Sequence, residues 1–183
     1  MHVRPATAAD IPAITHIYAH AVTHGTASFE LAPSREAEMA ARMRALRDGG
    51  LPYVVAEADG AVAGYAYASF YRARPAYRFA IEDSVYVAPA MQRRGIGKAL
   101  LEKLIADCSA LGYRQMIAVI GDSEQAASIA VHEACGFAPG REGGQSSNHG
   151  VACVYWVPAG ACHRAALRAD PLAGDGSGTW GNR

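Results

Sequence analysis

Glu82, two arginines at positions 72 and 74, and the loop Gln92-Arg93-Arg94-Gly95-Ile96-Gly97-Lys98 are the residues whose types and spacing could do chemistry. The loop follows an apolar run, Val85-Tyr86-Val87, and leads into a run with helical periodicity, so it reads as the turn from a strand into a helix. A helix start offers unpaired N–H groups and the positive end of the helix dipole, which together suit an anion. The glycines allow a ligand to approach the backbone closely, and Arg93, Arg94 and Lys98 add positive charge. A diphosphate fits there. A P-loop would need glycine at position 92 and Ser or Thr after Lys98, where the chain has Gln92 and Ala99. A dinucleotide fingerprint would need a third glycine at Leu100. What remains is Q/R-x-x-G-x-G/A behind an apolar strand.

Other candidates need weighing beside it. A guanidinium fork binds a carboxylate in bidentate fashion, which makes Arg74, with Arg72 and Tyr77 beside it, a candidate clamp. Strand alternation places Glu82, Ser84 and Tyr86 on one face and Ile81, Asp83, Val85 and Val87 on the other. His16, His20 and His24 are four apart but lie opposite Ile14, Tyr18 and Ala21, so a solvated stripe explains them, and the helix is not expected to reach His24. No metal site is expected. The cysteines, Cys108, Cys135, Cys153 and Cys162, form no C-x-x-C pair or zinc spacing and read as core fillers in a reducing cytoplasm.

The elements that must position these residues follow from pattern. Residues 2–5 make a short strand; Thr7 and Asp10 start a helix running to about Val22; Ser34 caps a second helix ended by Gly49-Gly50. Asp59-Gly60 between two apolar runs signals a hairpin of residues 53–56 and 62–70, and 72–78 is a loop or helical turn. A strand at 81–87, a helix at 96–111, a strand at 116–120, a helix at 124–134 and a strand at 152–157 complete the order β-α-α-β-β-β-α-β-α-β-β. We expect one domain over residues 1–160 and an extension over 161–183, disordered from about residue 171 because its small polar residues cannot bury enough surface.

Lys+Arg and Asp+Glu balance at 17 each, which argues against nucleic acid as a partner and makes the basic loop a local site. No secretory signal and no membrane-spanning run is apparent in the sequence, so a cytoplasmic location is expected.

The glycine loop resembles the acetyl-CoA pyrophosphate loop of the GCN5-related N-acetyltransferase (GNAT) family. Further stretches resemble the phosphinothricin and methionine sulfone/sulfoximine N-acetyltransferase branch. These are Asp59-Gly60-Ala61-Val62-Ala63-Gly64-Tyr65-Ala66-Tyr67-Ala68, Arg72-Ala73-Arg74-Pro75-Ala76-Tyr77, Glu82-Asp83-Ser84-Val85-Tyr86-Val87, Ala118-Val119-Ile120-Gly121, and Ser128 with His132-Glu133-Ala134-Cys135-Gly136-Phe137.

The resemblance implies the mixed α/β GNAT fold, with a mostly antiparallel sheet and a splayed strand pair. It implies acetyl-CoA as co-substrate, held by Val85, Tyr86, Val87, Gln92, Arg93, Arg94, Gly95, Ile96, Gly97, Lys98, Gln125 and Ser128. It gives Glu82 the role of general base, the Val87 N–H that of oxyanion donor, and His132 either that of general acid or a packing role under the cofactor. The acceptor, a small amino-acid-like amine, would meet Arg72, Arg74, Tyr77, Glu82 and His149. Position 125 departs from the family's frequent asparagine, and residues 145–152 depart from the branch's pattern. A homodimer is the implied assembly. Two other readings remain open: an acetyltransferase for an aminoglycoside, polyamine or protein N-terminus, and a non-catalytic acyl-CoA-binding sensor.

Overall fold

A computed structural model describes residues 1–24, 30, 32–120, 126–139 and 153–158, the last six by their backbone. In chain order these form β1 (His2–Pro5), α1 (Ile11–His24), α2 (Glu36–Asp48), β2 (Tyr53–Ala58), β3 (Ala61–Phe70), β4 (Ala80–Val87), α3 (Ile96–Ala110), β5 (Gln115–Ile120), α4 (Ala126–Ala134), β6 (Ala138–Pro139) and β7 (Cys153–Pro158). That is the expected order, although periodicity alone does not locate β6. Gln125, His149 and the whole 161–183 extension lie outside the described residues.

The strands lie side by side as β1-β2-β3-β4-β5-β7-β6. All neighbours are antiparallel except β4 and β5, which run parallel. Alternation along the strands divides the core in two. Val54, Ala56, Ala66, Ala68 and Ile81 face α3 and pack on Ile96, Leu100, Leu101 and Leu104. Tyr53, Val55 and Tyr65 face the opposite way and pack on Ile11, Ile14, Ile17 and Tyr18 of α1 and Met39 and Met43 of α2.

Arg4 anchors α1 to the sheet. Its guanidinium donates to both carboxylate oxygens of Asp10 at 2.8 Å and to Glu57 of β2. Asp10, which also accepts the Thr7 N–H at 2.7 Å, is held down at a pKa of about 2, chiefly by that Arg4 bond. The turn Asp59-Gly60 has positive φ at both residues (55° and 78°), as a two-residue hairpin of this hand requires.

Two local expectations are corrected. α1 continues to His24, where the His20 and His24 rings stack with centroids 4.5 Å apart. Among the described residues, no group of three or more His, Cys, Asp or Glu side chains could hold a metal ion. Ser34 does not cap α2: Arg35 occupies the N-cap, and the Ser34 hydroxyl instead donates to Glu30 at 3.1 Å, which removes it from the helix end. The helix expected at 124–134 is described from Ala126 to Ala134; residues 124 and 125 lie outside the described residues.

Candidate active site

Beyond the end of β4, Pro89–Met91 form a 3-10 turn and α3 starts at Ile96 with Gly95 as N-cap. Gly95 has φ +77°, a left-handed conformation that a side chain would strain. No side chain caps this helix. Its first intrahelical bond is donated by Ala99 to the Gly95 carbonyl (3.0 Å), so the N–H groups of Ile96, Gly97 and Lys98 are not used by the helix. A Cβ on Gly97 would lie 3.6 Å from Val87 and 3.8 Å from Val131, ordinary contact distances. Gly97 therefore sits where α3, β4 and α4 converge.

The expected trio of cations is not equivalent. Arg94 donates to Asp59 of the hairpin turn at 2.7 Å. Lys98 lies 3.7 Å from Glu102 one turn along α3. Arg93, with φ +59°, makes no ion pair among the described residues. The Gln92 N–H donates weakly to Pro89 at 3.4 Å.

The slot that leads from this loop into the sheet comes from the strand pairing. β4 pairs with β5 from Ala80 opposite Gln115 to Asp83 opposite Ala118, while β4 itself runs on to Val87. On its other side β4 stays paired with β3 as far as Val87 opposite Gly64. The Ala88 N–H donates to Ala63 at 2.9 Å in the same register. Bonded and non-bonded pairs alternate in an antiparallel ladder, so Tyr86 and Ser84 also bond to β3, whereas Val85 and Val87 direct N–H and C=O away from it. Those groups face the gap between β4 and β5. An extended chain entering the gap finds unpaired strand backbone.

Gly64 makes the close approach here. A Cβ at that position would lie 2.7 Å from the Tyr86 carbonyl, 3.1 Å from Leu100 and 3.3 Å from Ile96. Only glycine lets the start of α3 lie flat against this part of the sheet.

At the base of the gap Asp83 and His132 form a buried pair, 6% and 5% exposed. His132 Nε2 lies 3.0 Å from Asp83 Oδ2, and its Nδ1 lies 2.7 Å from the Ser128 carbonyl oxygen. Burial by itself would lower the pKa of this imidazole. The hydrogen bond and charge of Asp83, with the Ser128 carbonyl, outweigh that and raise it. Both nitrogens face acceptors, so the protonated ring is the form the surroundings hold, and neither N–H points into the gap. The Ser128 hydroxyl is 3.5 Å from Nδ1. Asp83 Oδ1 is buried without a hydrogen-bond partner.

Glu82 lies on the other face of β4. It stands opposite Ser69 of β3, with Ser84 opposite Tyr67 and Tyr86 opposite Tyr65. Burial, with the Asp83 charge next to it, raises the Glu82 pKa above the usual carboxylate value, as a base working near neutrality requires. The Ser69 side of this face borders a cavity of about 340 Å³ lined by Tyr18, Met39, Arg42, Ala45, Leu46, Tyr53, Tyr67 and Ser69. Beyond Ser69, the chain leaves β3 toward the segment that holds Arg72, Arg74 and Tyr77. The Arg72 guanidinium lies 5.1 Å over the Tyr71 ring and 5.9 Å from that of Tyr77. Arg74 is exposed, precedes the 3-10 turn Pro75–Tyr77 and makes no ion pair among the described residues.

Sequence reasoning missed the aromatic floor of this face. Tyr53 stacks on Tyr67 (5.1 Å), Tyr65 on Tyr86 (5.0 Å), and Tyr18 meets Tyr86 edge-on (5.4 Å). The signal was present as Tyr53 and the alternating Tyr65-Ala66-Tyr67, but a bulge decides which tyrosines meet. A regular hairpin from Ala58 opposite Ala61 would put Tyr53 against Ala66; the register shift between Ala56 and Glu57 puts it against Tyr67.

The paired strand, its splay and the uncapped glycine turn into α3 define an acyl-CoA N-acyltransferase arrangement. The Acetyltransferase (GNAT) family matches residues 13–137, and the chain belongs to that family. It is 56% identical over 128 residues to a phosphinothricin N-acetyltransferase of Alcaligenes faecalis, covering 70% of this chain and 65% of that one. It is 39% identical over 137 residues to the L-methionine sulfoximine/L-methionine sulfone acetyltransferase of Salmonella typhimurium, covering 75% and 80%. The fold is similar to a GNAT superfamily phosphinothricin acetyltransferase from Sinorhizobium meliloti in complex with acetyl-CoA, with TM-score 0.80, 46% identity and coverage of 87% and 89%.

Proposed function

We propose that the protein transfers the acetyl group of acetyl-CoA to the α-amino group of a small amino-acid-like acceptor of the phosphinothricin, methionine sulfone or methionine sulfoximine type. The observation that carries this reading is the position of β4, which serves two compartments at once. Its Val85 and Val87 backbone faces the splayed gap that runs from the glycine turn, and Glu82 stands across the β3–β4 ladder from Ser69, which lines the tyrosine-walled cavity. Diphosphate oxygens meet the N–H groups of residues 95–98 with Arg93 and Lys98, and the pantetheine arm pairs with Val85 and Val87 as an added strand.

The protonated amine is not nucleophilic. Glu82, directly or through a water, takes its proton, and the free amine attacks the thioester carbonyl carbon. The Val87 N–H faces the gap where the oxyanion develops; a donor of this kind contributes about 3 kcal/mol. As the C–N bond forms and the C–S bond breaks, the proton on the adduct nitrogen passes to the departing thiolate. Juxtaposition of the two substrates supplies much of the rate. Arg74, with Arg72 and Tyr77 beside it, receives the acceptor's carboxylate. His132 holds α4 to β4 through Asp83 and keeps the gap open at its base. The working assembly is a homodimer; Phe70, Tyr77 and Phe79 are exposed aromatic side chains that an interface would cover.

A release assay for free thiol tests this directly. Acetyl-CoA plus methionine sulfone, methionine sulfoximine or phosphinothricin should liberate CoA in step with N-acetylated product, whereas an acyl-CoA sensor would bind acetyl-CoA and release none. Turnover confined to aminoglycosides or polyamines would overturn the acceptor assignment.

A further inference from the structure

The tip of the β2–β3 hairpin reaches the glycine turn that starts α3. Asp59 at that tip accepts a hydrogen bond from Arg94 Nη1 at 2.7 Å, and the same nitrogen lies 2.9 Å from Met91 Sδ. Arg94 is thus held between the hairpin and the 3-10 turn Pro89–Met91, where Met91 packs against the main core. Both residues beside Arg94 are left-handed, Arg93 with φ +59° and Gly95 with φ +77°. Glycine adopts that conformation freely, whereas arginine does so against its preference. The turn that aims the N–H groups of residues 96–98 therefore needs a tether to hold its shape. Among the described residues, no other ion pair joins residues 92–95 to another element.

We propose that Asp59 is a positioning residue for acetyl-CoA: acting through Arg94, it sets the glycine turn in the shape that receives the diphosphate before the cofactor arrives. The inference rests on the reading that acetyl-CoA binds at this turn, and it adds a residue that lies outside the phosphate contacts.

Two effects meet at Asp59, and they differ in sign. A carboxylate near a diphosphate repels it, so Coulomb's law alone has its removal tighten binding. A carboxylate that pre-organises the turn does the reverse. Without it, acetyl-CoA must order residues 93–95 as it binds, and affinity falls. Asp59→Asn separates the two. Asparagine tolerates the left-handed φ of 55° at position 59, and Asn-Gly is a favoured pair in such hairpins, so the turn stays while the charge goes. The side chains of Arg94 and Asp59 are 45% and 62% exposed, which leaves their pairing open to screening by salt.

The test is calorimetric titration of acetyl-CoA into the full-length protein at low salt. Asp59→Asn should bind about threefold more weakly than the wild type, the scale of an exposed ion pair. Thermal stability and acceptor KM should stay at wild-type values and kcat should not fall, because Asp59 lies in neither the core nor the acceptor cavity. In an Arg94→Gln background Asp59→Asn should cause no further weakening, since the carboxylate then has nothing to hold. The ratio between wild type and Asp59→Asn should also approach one as salt rises. Affinity in Asp59→Asn equal to or tighter than the wild type's would overturn the proposal and leave acetyl-CoA binding intact. Weakening that persists with Arg94 replaced, or in high salt, would overturn it as well, by placing the effect outside the ion pair. If the wild type binds no acetyl-CoA, the cofactor reading falls and this proposal falls with it.

Discussion

His132 Nε2 sits 3.0 Å from Asp83 Oδ2, joining α4 to β4 at the point where β4 and β5 part. The imidazole pKa is raised in the folded state, so its protonated form stabilises the fold. That contribution is full below the unfolded value of about 6.5 and is lost as pH rises through the raised folded value. Chemical denaturation across about pH 6–9 should therefore show stability falling with rising pH, and His132→Gln should flatten the slope. His132→Gln also leaves Asp83 buried without a cation, for which a loss of about 3–5 kcal/mol is expected. Asp83→Asn should drop the imidazole pKa below its ordinary value, because burial, the largest influence, is then opposed only by the Ser128 carbonyl, and ring-proton NMR titration reads that directly.

Glu82→Gln should bind both substrates and lower kcat by at least about tenfold, the low end of general-base contributions. The raised pKa of Glu82 sets the sign of the pH dependence. Wild-type activity should fall as pH drops through that raised value, where the carboxylate takes up a proton and ceases to be a base. The variant should lose that acid limb and recover in part at alkaline pH, as more acceptor arrives already deprotonated. A pH–rate profile under conditions where chemistry limits turnover checks this, and full kcat at neutral pH would place the base elsewhere.

Two glycines should respond in different ways. Gly64→Ala places a carbon 2.7 Å from the Tyr86 carbonyl, which the backbone must move to avoid, at a cost of about 1–3 kcal/mol. Because β4 shifts with it, KM for acetyl-CoA should rise together with the loss in thermal stability. Gly97→Ala meets only ordinary contacts and should fold normally, whereas Gly97→Glu puts a carboxylate at the anion site. Calorimetry should show acetyl-CoA affinity severely weakened in the glutamate variant, with circular dichroism unchanged.

Arg74→Ala should raise KM for amino-acid acceptors and leave KM for acetyl-CoA near normal. Arg74 is exposed and makes no ion pair among the described residues, so its removal leaves no buried charge behind and stability should stay within about 0.5 kcal/mol. Wild-type turnover of the corresponding amino-acid amides supplies the control. Amides that serve as well as the free acids would remove the carboxylate clamp.

Local pattern alone determined a good deal of this protein. The order of strands and helices, the Asp59-Gly60 turn, the glycine-led start of α3 and the face of β4 on which Glu82 stands all follow from periodicity, turn chemistry and strand alternation over a few residues. Tertiary structure decided what those elements meet. The bulge near Ala63 sets Tyr53 against Tyr67 and builds the cavity floor, although a regular register from the Asp59-Gly60 turn would pair it with Ala66. Pairing of β4 with β5 stops at Asp83, which opens the gap. Arg94 turns to Asp59 across 35 positions of chain, and His132 finds Asp83 across 49. The physical reason is the same in each case. Propensity and alternation act between near neighbours in sequence, whereas registers, ion-pair partners and cavities depend on which distant segments the packing of the whole sheet brings together.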